Sequence, residues 1–301
     1  MKLTVHIENF LHYCAEQKTL SEKTIRAYST DLNQYSVFSE DEYTREKLID
    51  YIAHMHSRYK AKTAKRKIAT LKAFTHYLMV QDIIDRSPFD KMDTSFREPQ
   101  TLPKTIPVNI IRRLLESTNK EINSAKTDYA KKCAIRNAAI FEILFATGAR
   151  VSEICQLTPQ TVDLENHTVM IFGKGSKERI IQIENEDVLN TLNLYYRTFY
   201  KEISESGYFF VNRLSRRLTE QSVRGIINRQ VSAIGYDKHI TPHMFRHSFA
   251  TMLLEEDVDI RYIQKILGHS SITTTQIYTH VAMAKQKEIL SVKHPRNKIH
   301  F

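Results

Sequence analysis

The sequence predicts a mainly α protein with one small β-sheet, built as two helical modules joined by an irregular connector. Three observations carry this. Apolar residues recur at helical spacing through most of the 301 residues, as one-faced helices require. In one place two short β-type runs, HTVMIF and ERIIQI, flank the glycine-bearing turn GKGSK, which is a hairpin pattern. Residues 83–107 lose all periodicity and hold four of the seven prolines, as an inter-domain linker does. The length is comfortable for two domains. The boundaries expected are 1–95 for the first, 96–107 for the linker proper and 108–301 for the second.

The elements follow in order. ENFLHYCAEQ is amphipathic, and so is SEKTIRAYSTDLNQYSVFSE, where Ser21 suits an N-cap and Ile25, Tyr28, Leu32 and Tyr35 share a face. TREKLIDYIAHMHSRY comes next. TAKRKIATLKAFTHYLMVQ then places Ile68, Leu71, Phe74, Tyr77 and Leu78 on one core-facing stripe. After the linker, which reaches about 3.3 Å per residue when extended, helices are predicted in PVNIIRRLLEST and YAKKCAIRNAAIFEILFATG. The hairpin follows, then single helices over NEDVLNTLNLYYRTFYKE and TEQSVRGIINRQVSAIG. TPHMFRHSFATMLLEE, DIRYIQKILG and SITTTQIYTH close the second module.

Composition narrows the class. An apolar share of 42% with 26% charged residues is that of a soluble globular chain. No apolar run approaches the roughly 20 residues that span a bilayer, and the N-terminus lacks a signal-peptide core, so a cytoplasmic, nucleoid-associated protein with no membrane partner is expected. Cys14, Cys133 and Cys155 are far apart, as reduced, buried thiols are. The net charge of +10 favours a polyanionic partner. Between Arg58 and Lys72 stand seven cations and no acid: Arg58, Lys60, Lys62, Lys65, Arg66, Lys67 and Lys72. A solvated helix face is the plain alternative, but with no carboxylate in the run these are expected to meet phosphates.

The second module holds the chemistry. In TPHMFRHSF, Thr241 suits an N-cap and Pro242 the first helical turn, so His243 and Arg246 share a face near a positive helix end. In ATGARVSEICQL, Gly148 closes one helix, Arg150 opens the next, and Glu153 is placed to hold Arg150. Lys174 sits between glycines at the hairpin tip, with Lys177 close by. LGHSSITTTQIYTH adds His269 and, nine residues on, Tyr278. Taken singly, each is an ordinary surface cluster. Taken together, two arginines, a lysine, two histidines and a tyrosine suit attack on a phosphodiester without metal. Forked guanidiniums clamp non-bridging oxygens, and a tyrosine beside such cations becomes a usable nucleophile. The set lacks the Asp/Glu cluster that Mg²⁺ chemistry uses, so no metal or cofactor is expected.

The ordered set ATGARVSEI, GKGSKERI, HMFRH, LGHSS and TTTQIYTH resembles the signature of the tyrosine recombinases, the phage-integrase family, with spacing most like the Xer recombinases. The resemblance covers nearly the whole chain and departs from the family at none of these positions. It implies a helical core-binding domain and an α+β catalytic domain forming a clamp around DNA. It implies Arg150 and Arg246 as the phosphate-binding arginines, with Glu153 supporting the first. Lys174 is then the general acid toward the 5′-hydroxyl leaving group, with Lys177 the lesser candidate. His243 is the proton acceptor, His269 a transition-state hydrogen-bond donor and Tyr278 the nucleophile.

The implied partner is double-stranded DNA with short inverted-repeat core sites. It is bound by a homotetramer, with a heterotetramer with a paralogue and an activating protein as further options. Strands exchange through a 3′-phosphotyrosine and a Holliday junction, and the C-terminal segment after Tyr278 is expected to dock in trans. Little chain precedes the first module, so no extra arm-binding domain is expected. Chromosome dimer resolution and integration, excision or inversion for a mobile element share these residues. A type IB topoisomerase and a DNA-binding protein without catalysis are the rivals; relaxation of supercoils without a preferred site would favour the first, and binding without a covalent adduct the second.

Overall fold

The computed structural model describes residues 3–96, 103–173 and 178–268. The chain divides into two compact units, Met1–Gln100 and Thr101–Phe301. The fold is mainly α with one small sheet.

The first unit is built from α1 (Leu3–Glu16), α2 (Glu22–Ser39), α3 (Arg45–Arg58) and α4 (Ala61–Val80). Their starts are set by side chains that satisfy otherwise unpaired amides. Ser21 Oγ accepts from the Thr24 amide at 3.3 Å, and Thr44 Oγ1 from Lys47 at 3.3 Å. The apolar stripes meet in one core, in which Phe10 packs edge-on against Phe74 at 5.4 Å and Tyr35 lies between Tyr43 and Tyr51.

The proline-bearing stretch 83–107 holds apolar residues that pack into the units on either side. Phe89 and Phe96 are buried in this first core, and His56 stacks on Phe96 at 3.9 Å. Arg45 donates to the carbonyls of Pro88 and Lys91. Prolines remove regular structure from this stretch, but apolar anchors still bind it to the unit. On the far side Ile106 is buried in the second core, and its amide donates to Ser248 Oγ at 2.7 Å.

In the second unit α5 (Val108–Ser124) packs on α6 (Asp128–Thr147). Every residue from Ala134 to Leu144 is buried, which makes α6 the central helix. Its end leads into α7 (Val151–Ile154). The antiparallel sheet runs β1 (Val162–Asp163), β2 (Thr168–Phe172), β3 (Glu178–Gln182), with Val169 opposite Ile181. The hairpin is the one expected; the two-residue β1 is an addition. The single helix expected over 185–202 is two, α8 (Glu186–Thr198) and α9 (Tyr200–Ser206). Phe199 breaks the run by turning inward, where it is buried with its ring 4.8 Å from Tyr195. Helices α10 (Glu220–Ala233), α11 (Pro242–Glu255) and α12 (Ile260–Leu267) follow. Cys14 and Cys155 are buried as expected, whereas Cys133 is only half-buried.

Candidate active site

Helix α6 stops at Gly148, whose φ of +57° is left-handed. A side chain there is strained twice over, because a Cβ would lie 2.5 Å from Phe249 Cδ1. This tight exit delivers Arg150 as the residue before α7. Glu153, one turn on, reaches back to it. Its Oε2 accepts from the Arg150 amide at 2.8 Å, and its Oε1 from Arg150 Nη1 at 2.8 Å. The sequence-predicted pair is therefore in direct contact.

Glu153 has a second partner that sequence reasoning missed. From β3, Arg179 Nη2 donates to Glu153 Oε2 at 2.6 Å and Nη1 to Oε1 at 3.3 Å. Burial by itself would push the Glu153 carboxyl up. The bonds from Arg179 and from the Arg150 amide outweigh it and hold the carboxyl below its usual range. One buried carboxylate thus serves two guanidiniums, and the group keeps a net positive charge. Arg179 also packs against Gly268, where a Cβ would lie 3.1 Å from its Nη1. Its sequence signal is no more than an arginine directly after GKGSKE.

Arg246 is buried on α11 and ties two helix ends together. Its Nη1 donates to the Gly148 carbonyl at 2.8 Å and its Nη2 to the Leu267 carbonyl at 2.7 Å. Gly148 stands two residues before Arg150, and Leu267 two before His269. His243, one turn earlier, is exposed. His247 is held below the usual imidazole range by burial first, then by His243 and Arg246, so the imidazole beside this arginine is neutral at neutral pH. Of the predicted residues, Lys174, Lys177, His269 and Tyr278 lie outside the described residues, as does the C-terminal segment.

The basic run of the first unit divides in two. Arg58, Lys60, Lys62 and Lys65 are exposed. Lys72 is exposed and donates to Thr94 Oγ1 at 2.8 Å. Lys67 must be corrected: it is buried, with its ammonium 3.0 Å from Asp31 Oδ1 and bonded to Gln34. Arg66 pairs with the other oxygen of Asp31. The run contains no acid, but α2 supplies one from across the fold, so Lys67 faces inward and is unavailable to a phosphate.

The family model described as "Phage integrase family" matches residues 111–285, and "Phage integrase, N-terminal SAM-like domain" matches residues 7–82. The chain belongs to the phage integrase family. It is a tyrosine recombinase of Xer-like kind, an enzyme of DNA cleavage and strand transfer. It is 52% identical over 303 residues to a tyrosine recombinase of Agathobacter rectalis, covering 99% of each chain. Tyrosine recombinase XerD of Listeria innocua is 33% identical over 303 residues, covering 96% of this chain and 98% of its own. Among solved structures, XerH site-specific recombinase bound to palindromic difH substrate, a post-cleavage complex, superposes with a TM-score of 0.75 at 22% identity. It covers 95% of this chain and 84% of that one, and the likeness extends to the fold.

Proposed function

We propose that this recombinase cuts and rejoins duplex DNA at short inverted-repeat sites, with Tyr278 as nucleophile and no metal. The observation that carries the proposal is the pair of hydrogen bonds that Arg246 donates to the Gly148 and Leu267 carbonyls. It gathers the turn bearing Arg150 and the chain entering His269 around one buried guanidinium. A phosphodiester set there meets Arg150 and Arg246 at its non-bridging oxygens, where negative charge builds in the pentavalent state.

Tyr278 Oη attacks phosphorus as its proton passes to His243. The P–O5′ bond breaks, and Lys174 returns a proton to the leaving 5′ oxygen. The product is a 3′-phosphotyrosine and a 5′-hydroxyl. Attack by a 5′-hydroxyl from the partner duplex reverses the same step and frees the tyrosine. The ester conserves the bond energy, so ATP is not consumed. Glu153 and Arg179 orient Arg150 and touch no reacting atom. Two duplexes present four strands to exchange, so four protomers assemble on DNA and work through a Holliday junction.

The C-terminal segment docks in trans. Residues 285–301 carry five Lys or Arg, one Glu and the apolar Ile289, Leu290 and Val292. A cleft between α5, α6, α8 and α11 offers the complement. Ile111, Leu115, Phe145 and Phe249 give it an apolar lining, and Glu116, Glu142, Glu184, Asp187 and Glu256 supply acids. Deleting residues 285–301 is expected to weaken tetramer assembly on DNA; unchanged assembly and recombination would sink this proposal.

Covalent trapping tests the chemistry. Nicked duplexes carrying candidate sites, incubated with EDTA, should give an SDS-resistant protein–DNA band that Tyr278→Phe abolishes. Relaxation of supercoils with no transfer to a second duplex would mark a topoisomerase. Specific binding with no band from nicked sites would leave a DNA-binding protein without catalysis.

A further inference from the structure

Among the described residues, Arg136 is a buried charge with no carboxylate partner. It lies on the central helix and is 9% exposed. Its Nε is buried and meets no acceptor, and its Nη2 reaches only the neighbouring Asn137 Oδ1, at 3.4 Å. No carboxylate pairs with it among the described residues. Guanidiniums are seldom buried this far unless something negative meets them.

Arg136 lines a cleft of ≈ 470 Å³ between α6 and the start of α10. Two more arginines line it, Arg213 and Arg229, both exposed, and no Asp or Glu does. Gln221 and Ser222, in the first turn of α10, face the same space. The amino end of a 14-residue helix adds its partial positive charge there. Glu220, beside the lining residues Thr219 and Gln221, pairs with Arg224 at 3.1 Å. Three arginines, one of them buried and short of acceptors, thus line one cleft beside a helix amino end, and no acid lines it.

We propose that this cleft is a phosphate-binding site. It is separate from the candidate active site: Arg136 lies 11 residues before the last residue of α6, Thr147, or about 16 Å along the helix axis at 1.5 Å per residue. Its ligand is a phosphoryl group held by forked bonds from Arg136, Arg213 and Arg229. The source is a backbone phosphodiester of bound DNA or the phosphate of a free nucleotide. The assignment does not depend on the role of Tyr278.

The test uses the full chain and the rim double variant Arg213→Ala/Arg229→Ala, whose side chains are exposed and whose fold should hold. Binding of a short nonspecific duplex is titrated across salt concentrations. Melting is followed in inorganic phosphate and in AMP against chloride at matched ionic strength. For a DNA phosphate, the slope of log K against log salt should fall by about 1–2 in the variant, at roughly 0.9 per lost contact, with cognate and nonspecific DNA weakened alike. For a free ligand, phosphate or AMP should raise the melting temperature of the wild type and not of the variant, with the salt slope unchanged. Arg136→Gln should lose the same response while melting no lower than wild type without ligand. The proposal is overturned if the rim variant matches wild type in both salt slope and phosphate response. Neither readout requires cleavage, so a failed covalent trap would leave this result standing.

Discussion

Arg179 reaches Arg150 only through Glu153. Its bidentate contact fixes Glu153, and Glu153 in turn holds the amide and the guanidinium of Arg150. Lysine cannot reproduce that fork. Arg179→Ala and Arg179→Lys should therefore both slow single-turnover cleavage, by about 10–100-fold, the scale on which small misplacements act. DNA affinity should stay within about twofold. If cleavage falls only with the folded fraction, Arg179 is structural and not a positioning residue. The pair also has a pH signature. The Glu153 carboxyl is lowered in the folded chain, so its stabilisation is complete above the unfolded value of about 4.3. It is lost as pH falls through the folded value, and Arg179→Ala should shrink that acid-side loss. Arg150 and Glu153 were legible in the sequence because one helical turn joins them. Arg179 was not, because 26 residues separate it from Glu153 and only tertiary packing brings them together.

Helix α4 shows what periodicity tells about an element and what it leaves out. Its apolar stripe was readable from spacing, and Ile68, Leu71, Phe74 and Leu78 are buried as expected. Spacing did not reveal that Asp31 on α2 would draw Lys67 inward, since the identity of a neighbour across the core is not written within the helix. The two classes of lysine should therefore separate by measurement. Lys67→Met, which leaves Asp31 a buried carboxylate with one partner fewer, should cost about 3 kcal/mol of stability and leave the salt slope of DNA binding unchanged. Lys60→Ala/Lys62→Ala should leave stability within about 0.5 kcal/mol and lower that slope by up to about 2. The same limit explains the elements that differed. Nothing in 185–202 announced that Phe199 would turn into the core, and the prolines of 83–107 masked Phe89 and Phe96, whose burial ties that stretch to the first unit.

At the scale of the whole molecule, stability, pH and assembly meet at Glu142. This carboxyl is buried in the central helix and lines the acidic cleft proposed to receive a neighbour's C-terminal segment. Burial, with a smaller push from Asp187, raises it to about 7. The sign follows from proton counts. Between the unfolded value of about 4.3 and the folded value, the folded chain binds the extra proton, so stability falls as pH rises through that window and levels off above it. The loss is at most about 4 kcal/mol, from 1.36 kcal/mol per pKa unit. Urea unfolding of Glu142→Gln between pH 5 and 8 should show that slope removed, with the variant the more stable chain at pH 8. The proposed docking would act on the same group. Basic residues seated beside Glu142 favour its charged form and lower its pKa, so the slope should be shallower in tetramers on DNA than in the free chain. In a chain lacking residues 285–301 it should stay steep with or without DNA. Equal slopes for the free and assembled full-length chain would mean that the cations of the segment do not reach this cleft, and the docking proposal would have to move elsewhere on the surface.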